Sequence, residues 1–135
     1  MASIDWSGVE APSLDDIEAI ARKAFQALPV GFRGLCGDVP FVVQDFPDDD
    51  VMLDMDLETP FDILGLFQGA DLADREGMGG QPEPTMIFLY RRPILDYWAE
   101  NGGTLGEVVR HVLIHEIGHH FGLSDEDMER IERGV

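Results

Sequence analysis

Between Thr104 and Gly122 the apolar residues Leu105, Val108, Val109, Val112, Leu113, Ile114, Ile117 and Phe121 repeat at helical spacing and surround most of the circumference. A helix with one apolar stripe can lie on a surface, but one that is apolar nearly all round has to be covered on several sides. The rest of the chain must therefore pack around this segment, which predicts a buried central helix. Its ends are marked as well. Thr104 followed three residues later by Glu107 has the spacing of a capping box, and Gly122 stops the helix.

Set into this helix is His115-Glu116-Ile117-Gly118-His119, which has the form HExxH. Residues four apart share a helical face, so both imidazoles can reach one ion. Histidine suits zinc because its neutral nitrogen is a borderline-soft donor. Glu116 sits about 100° around the helix from His115. From there its carboxylate reaches a water on the metal, where a general base belongs. The continuation reads HExxHxxGxxD. Gly122 turns the chain back, and Asp125 arrives where metzincin-type sites place a third ligand. His115, His119 and Asp125 are thus the expected zinc ligands, with a fourth position open, and Glu116 the expected catalytic residue. Asp125 has an alternative role as a cap of the last helix, in which case Glu126, Asp127 or Glu129 would substitute. Two histidines and a carboxylate also suit iron. His120 lies about 100° from His119 and is expected to pack or bond locally. His111, one turn before His115, reads as a polar helix position or a residue supporting the site.

Elsewhere the pattern predicts a capped helix from Ser13 to Leu28, a turn over Gly31 to Gly37, and a strand over Pro40 to Gln44. Asp48-Asp49-Asp50 reads as an acidic turn, and Val51 to Leu57, alternating acidic and apolar, as a half-buried strand. Pro60 to Phe67 fits a short helix or a turn with a strand. Gly69 to Pro84, rich in glycine and proline, reads as a loop. Thr85 to Tyr90 is the strongest strand signal, followed by a short helix over Ile94 to Glu100 and a last helix over Asp125 to Arg133. The acidic residues lack the glycine and distal glutamate of an EF-hand loop and read as a solvated face.

At 135 residues the chain predicts one domain, 1–135, which can bury roughly two thirds of its unfolded surface. The formal net charge of −18 argues against nucleic acid and anionic membranes, since phosphate binding needs clustered Lys and Arg. It permits attraction of cationic peptides or other basic partners. With Cys36 alone, no intramolecular disulfide forms, which fits a reducing compartment. The first residues, Met1 to Trp6, carry no basic group and lead into no apolar run. No stretch approaches the roughly 18 apolar residues needed to span a bilayer. The expected location is cytoplasmic.

The block Val112-Leu113-Ile114-His115-Glu116-Ile117-Gly118-His119-His120-Phe121-Gly122-Leu123-Ser124-Asp125, the strand ending Phe88-Leu89-Tyr90-Arg91-Arg92-Pro93, and the segment Pro60 to Gly69 together resemble the bacterial minimal zincin-like metallopeptidases. The resemblance implies a compact α+β fold, a small mixed β-sheet packed on helices, with the HExxH helix buried. It implies His115, His119 and Asp125 as ligands, Glu116 as base, and Thr85 to Tyr90 as a sheet edge along which a peptide would lie. It further implies a zinc-dependent peptidase acting on peptides or unfolded protein. Tyr90, Tyr97, Arg91 and Arg92 are the residues that folding could bring back to stabilise the carbonyl oxygen. Only ten residues follow Asp125, which leaves no usual Met-turn. That motivates the alternative of a non-catalytic zinc-binding zincin-fold module that binds peptides or protein partners.

Overall fold

Ser13 opens the first helix with a reciprocal cap. Its hydroxyl accepts from the Asp16 N–H at 3.1 Å, and its own N–H donates to the Asp16 carboxylate at 2.8 Å. The structure, a computed structural model, describes residues 4–68 and 85–134. After a 3-10 turn at Trp6–Gly8, the elements in chain order are α1 (Leu14–Gln26), α2 (Val30–Arg33), β1 (Phe41–Gln44), α3 (Asp49–Asp54), β2 (Gly65–Gln68), β3 (Met86–Tyr90), α4 (Arg91–Asn101), α5 (Leu105–His120) and α6 (Asp125–Arg133). The fold is α+β. Its small sheet is mixed, with β3 in the centre, parallel to β1 and antiparallel to β2.

The apolar helix predicted to be central is central. Helix α5 packs against α1, α4, α6 and β2, and it buries Leu105, Val108, Val109, Val112, Leu113, Ile114 and Ile117. These join Ile17, Ala21 and Phe25 of α1 and Phe41, Phe67, Ile87 and Leu89 of the sheet in one core. Each of the larger side chains, Ala21 excepted, contributes about 1.5–3 kcal/mol when fully buried. Two glycines allow the neighbours to come close. A Cβ on Gly65 would lie 2.9 Å from both the Phe88 carbonyl oxygen and Val112 Cγ1, so only glycine lets β2 approach α5 this closely. A Cβ on Gly118 would lie 2.4 Å from the Sδ of Met128, which is fully buried on α6.

Four expectations are corrected. Val51 to Leu57 is not a strand, because Asp48 caps a short helix, its carboxylate accepting from the Val51 N–H at 3.0 Å, with Asp49 and Asp50 in the favoured first turn. Leu53 is left exposed and no sheet partner exists for it among the described residues. The segment Thr85 to Tyr90 is not a sheet edge: β3 is paired on both sides, so its backbone groups are taken. Helix α4 starts at Arg91 rather than Ile94, with Pro93 in its first turn, where the missing N–H costs nothing. Part of the expected turn after Pro29 is the single helical turn α2. The loop predicted over Gly69 to Pro84 lies outside the described residues. No helix among the described residues is long and apolar enough to cross a membrane.

The Gly118 notch makes a stability prediction. Gly118→Ala gains about 1 kcal/mol of helix propensity but overpacks a buried contact at a cost of about 1–3 kcal/mol. The expected outcome is a lower urea midpoint. In a double-mutant cycle with Met128→Ala, the pair is less destabilised than the sum of the singles; strict additivity would show that the two residues do not meet.

Candidate metal centre

Three histidines, His111, His115 and His119, recur at four-residue spacing and so share one face of α5. Ring centroids are 4.1 Å apart for His111 and His115 and 5.6 Å apart for His115 and His119. His111 and His115 are half-buried and His119 is exposed. This strip is where the apolar cover of α5 is interrupted.

The end of α5 is formed as its sequence requires. Gly122 adopts φ 76°. The Leu123 N–H then donates to the Gly118 carbonyl at 2.8 Å and the Gly122 N–H to the His119 carbonyl at 3.2 Å, a paired helix stop. Ser124 caps α6, accepting from the Asp127 N–H at 3.1 Å. Asp127 supplies the reciprocal carboxylate, and Asp125 stands exposed in the first turn. Helix α6 then runs back along α5. Arg110 fixes its far end, donating to the carbonyls of Glu132 and Ile131 at 2.7 Å each.

That return places Glu132 between two of the histidines. Its Oε1 contacts His111 Nδ1 and lies 3.2 Å from His115 Nε2. One ligating atom from each of His111, His115 and Glu132 lies within 4.8 Å of the other two. Among the described residues, this is the set of three ligating side chains that closes; His119 and Asp125 stand outside it. Two imidazoles and a carboxylate form a zinc-type donor set. Burial, then the neighbouring His111, lower the affinity of His115 for a proton, with the Glu132 carboxylate opposing them. The neutral ring that a metal needs is thereby favoured, so the residues present fit a zinc ion.

Glu116 points from the same turn into a drier place. Desolvation pushes its carboxyl up to about 7. The Tyr90 hydroxyl is buried and has no hydrogen-bond partner among the described residues. Burial first, then the charges of Asp48 and Glu116, push it up to about 12, so it remains a donor near that carboxylate. The other residues considered for the carbonyl oxygen are engaged elsewhere. Arg91 pairs with Asp45 at 3.0 Å, the Arg92 guanidinium lies over Phe46, and Tyr97 stacks on His111. His120 packs on Phe67 with centroids 4.2 Å apart and on Phe121. Cys36 is half-buried, its thiol raised by desolvation, and reads as a packing residue.

Sequence reasoning did not find Glu132. It is 17 positions beyond His115, and only the reversal between α5 and α6 brings it near. The available signal was Arg110 and His111 facing the last turn of a short terminal helix, which cannot be read without the fold.

A family model described as zincin-like metallopeptidase matches residues 36–135. No curated protein matches the chain.

The raised Glu116 carboxyl has a consequence for stability without metal. Its folded value, about 7, exceeds the unfolded value of 4.5. Below pH 4.5 both states are protonated and the full stability is present. Between 4.5 and 7 the unfolded state ionises first, so stability falls as pH rises through that window. The loss is at most about 3 kcal/mol. Melting curves in chelator across that range should show a drop that Glu116→Gln removes; an unchanged slope in the variant would show that Glu116 is not the group responsible.

Proposed function

The chain belongs to the zincin-like metallopeptidase family, and from that premise we propose that it is a zinc-dependent peptidase with Glu116 as general base. The observation that carries the reading is Glu116 itself. A half-buried carboxyl held near neutrality, one position along from His115 on a rigid buried helix, is what base catalysis at physiological pH requires.

His115, His119 and Asp125 are the proposed ligands. The helical spacing of the two imidazoles and the turn at Gly122 that returns the chain toward α5 support them. Bound zinc would supply Lewis acidity, polarising the scissile carbonyl and lowering the pKa of water toward about 7. Glu116 accepts the proton of the attacking water and passes it to the departing amine nitrogen. The Tyr90 hydroxyl, unpartnered among the described residues and within electrostatic reach of Glu116, donates toward the carbonyl oxygen as negative charge develops there.

The proposed substrate is a peptide or an unfolded protein segment. Because β3 is paired on both sides, the outer strand of the described sheet that contacts α5 is β2, and an extended peptide would add beside it. The net charge of −18 favours cationic segments and disfavours nucleic acid and anionic membrane. We place the whole chain, 1–135, in one zincin-like domain. A cytoplasmic setting fits the lone thiol of Cys36. A second reading, a zincin-fold module that holds zinc and binds peptides or protein partners without cutting them, is favoured by one observation. The set that closes, His111, His115 and Glu132, ties α5 to α6 without Glu116.

Zinc-loaded protein and its Glu116→Gln variant, each given a diverse peptide pool, separate the readings. The wild type is expected to cut, and the variant to retain zinc and lose at least about 100-fold in rate. Equal rates would remove Glu116 from the chemistry. No cleavage by either, with zinc bound, would leave the non-catalytic module.

A further inference from the structure

His111 lies outside the HExxH pentad, yet it stands one turn before His115 on the same face of α5. With His115 and Glu132 it forms the group whose ligating atoms lie within 4.8 Å of one another. Donors on one zinc ion, each about 2.0–2.2 Å from it, are about 3–3.5 Å apart. The group therefore needs only small side-chain rotations to hold an ion.

The positions of these side chains are fixed by the fold. Arg110 holds the backbone of Glu132 through the 2.7 Å bonds to the Glu132 and Ile131 carbonyls. The packing of Met128 into the Gly118 notch sets how closely α6 lies on α5. Tyr97 of α4 stacks nearly parallel to the His111 ring, at 11° and 6.5 Å between centroids. The carboxylate of Glu132 meets both imidazoles, at His111 Nδ1 and His115 Nε2.

We infer that His111, His115 and Glu132 form a second seat for a divalent cation of the zinc type, one helical turn N-terminal to the HExxH pair and sharing His115 with it. An ion in this seat joins α5 to α6 and stabilises the native state by an amount that rises with the logarithm of free metal once its concentration exceeds Kd. The seat requires neither His119 nor Asp125 nor Glu116. It takes the His115 nitrogen that faces Glu132, so that nitrogen is then not available to an ion shared with His119, and the two seats compete for one imidazole. The inference goes beyond the proposed peptidase activity and does not depend on it.

The test removes the motif donors and asks whether metal binding survives. The double variant His119→Ala/Asp125→Asn is titrated with zinc by equilibrium dialysis, and melting is followed by circular dichroism with and without zinc. The double variant is expected to bind one zinc per chain and to melt higher with zinc. Adding Glu132→Gln, or separately His111→Ala, is expected to weaken binding at least about tenfold and to abolish the zinc-dependent rise. Glu132→Gln keeps the backbone carbonyl that Arg110 holds, and metal-free spectra report whether each variant folds. A double variant that binds no zinc, or one whose affinity is unchanged by both added substitutions, would overturn the inference. Peptide cleavage enters neither readout, so failure of this seat and failure of the peptidase reading are told apart.

Discussion

Covering a helix that is apolar around most of its circumference is the constraint that organises this fold. Helix α5 cannot stand in water, and α1, α4, α6 and β2 each take one side of it. Two of these contacts depend on glycines that bring backbones close: Gly65 lets β2 lie against Val112, and Gly118 receives Met128. Along the face that the core leaves partly uncovered runs a strip of histidines, with His111 and His115 half-buried and His119 exposed. The candidate metal face is therefore the part of the central helix that the core does not use, presented on an element held by packing on several sides. Rigidity there matters, because a ligand set is only as well placed as the backbone that carries it.

The same burial governs the electrostatics. Glu116 is drawn into the edge of the core, where desolvation raises its carboxyl toward neutrality, and the Tyr90 hydroxyl is buried with no partner among the described residues. Both cost stability. Groups held at such a cost beside potential metal ligands are characteristic of sites arranged for proton transfer. Glu132 makes the opposite kind of contact, a carboxylate satisfied by two imidazoles and anchored through Arg110. The chain thus carries one carboxyl suited to chemistry and another suited to holding an ion or a helix in place.

Much of this was legible in sequence where the determinant is local. The caps at Ser13, Thr104 and Ser124, the periodicity of α1 and α5, and the stop at Gly122 need only a few neighbouring residues, and each forms as read. HExxH is legible for the same reason. Val51 to Leu57 misled because acidic–apolar alternation over a few residues is equally compatible with a short amphipathic turn, and Asp48 as a cap decided the matter. The strand β3 was found but not its central place, since strand order depends on pairings distant in sequence. Glu132 was hidden for the same physical reason. Its approach to His115 follows from the reversal of α6, which Arg110 and the Gly118 notch set and no local pattern announces.

The central claim is that a zinc ion sits on the histidine face of α5 beside Glu116. A crystal structure of the zinc-loaded protein, with anomalous differences collected on both sides of the zinc edge, tests it most directly. A peak bonded to a His115 ring nitrogen, with the Glu116 carboxylate facing it across a gap wide enough for a water, is the predicted result. A peak that does not touch His115, or full loading with no peak on this face, would contradict the account.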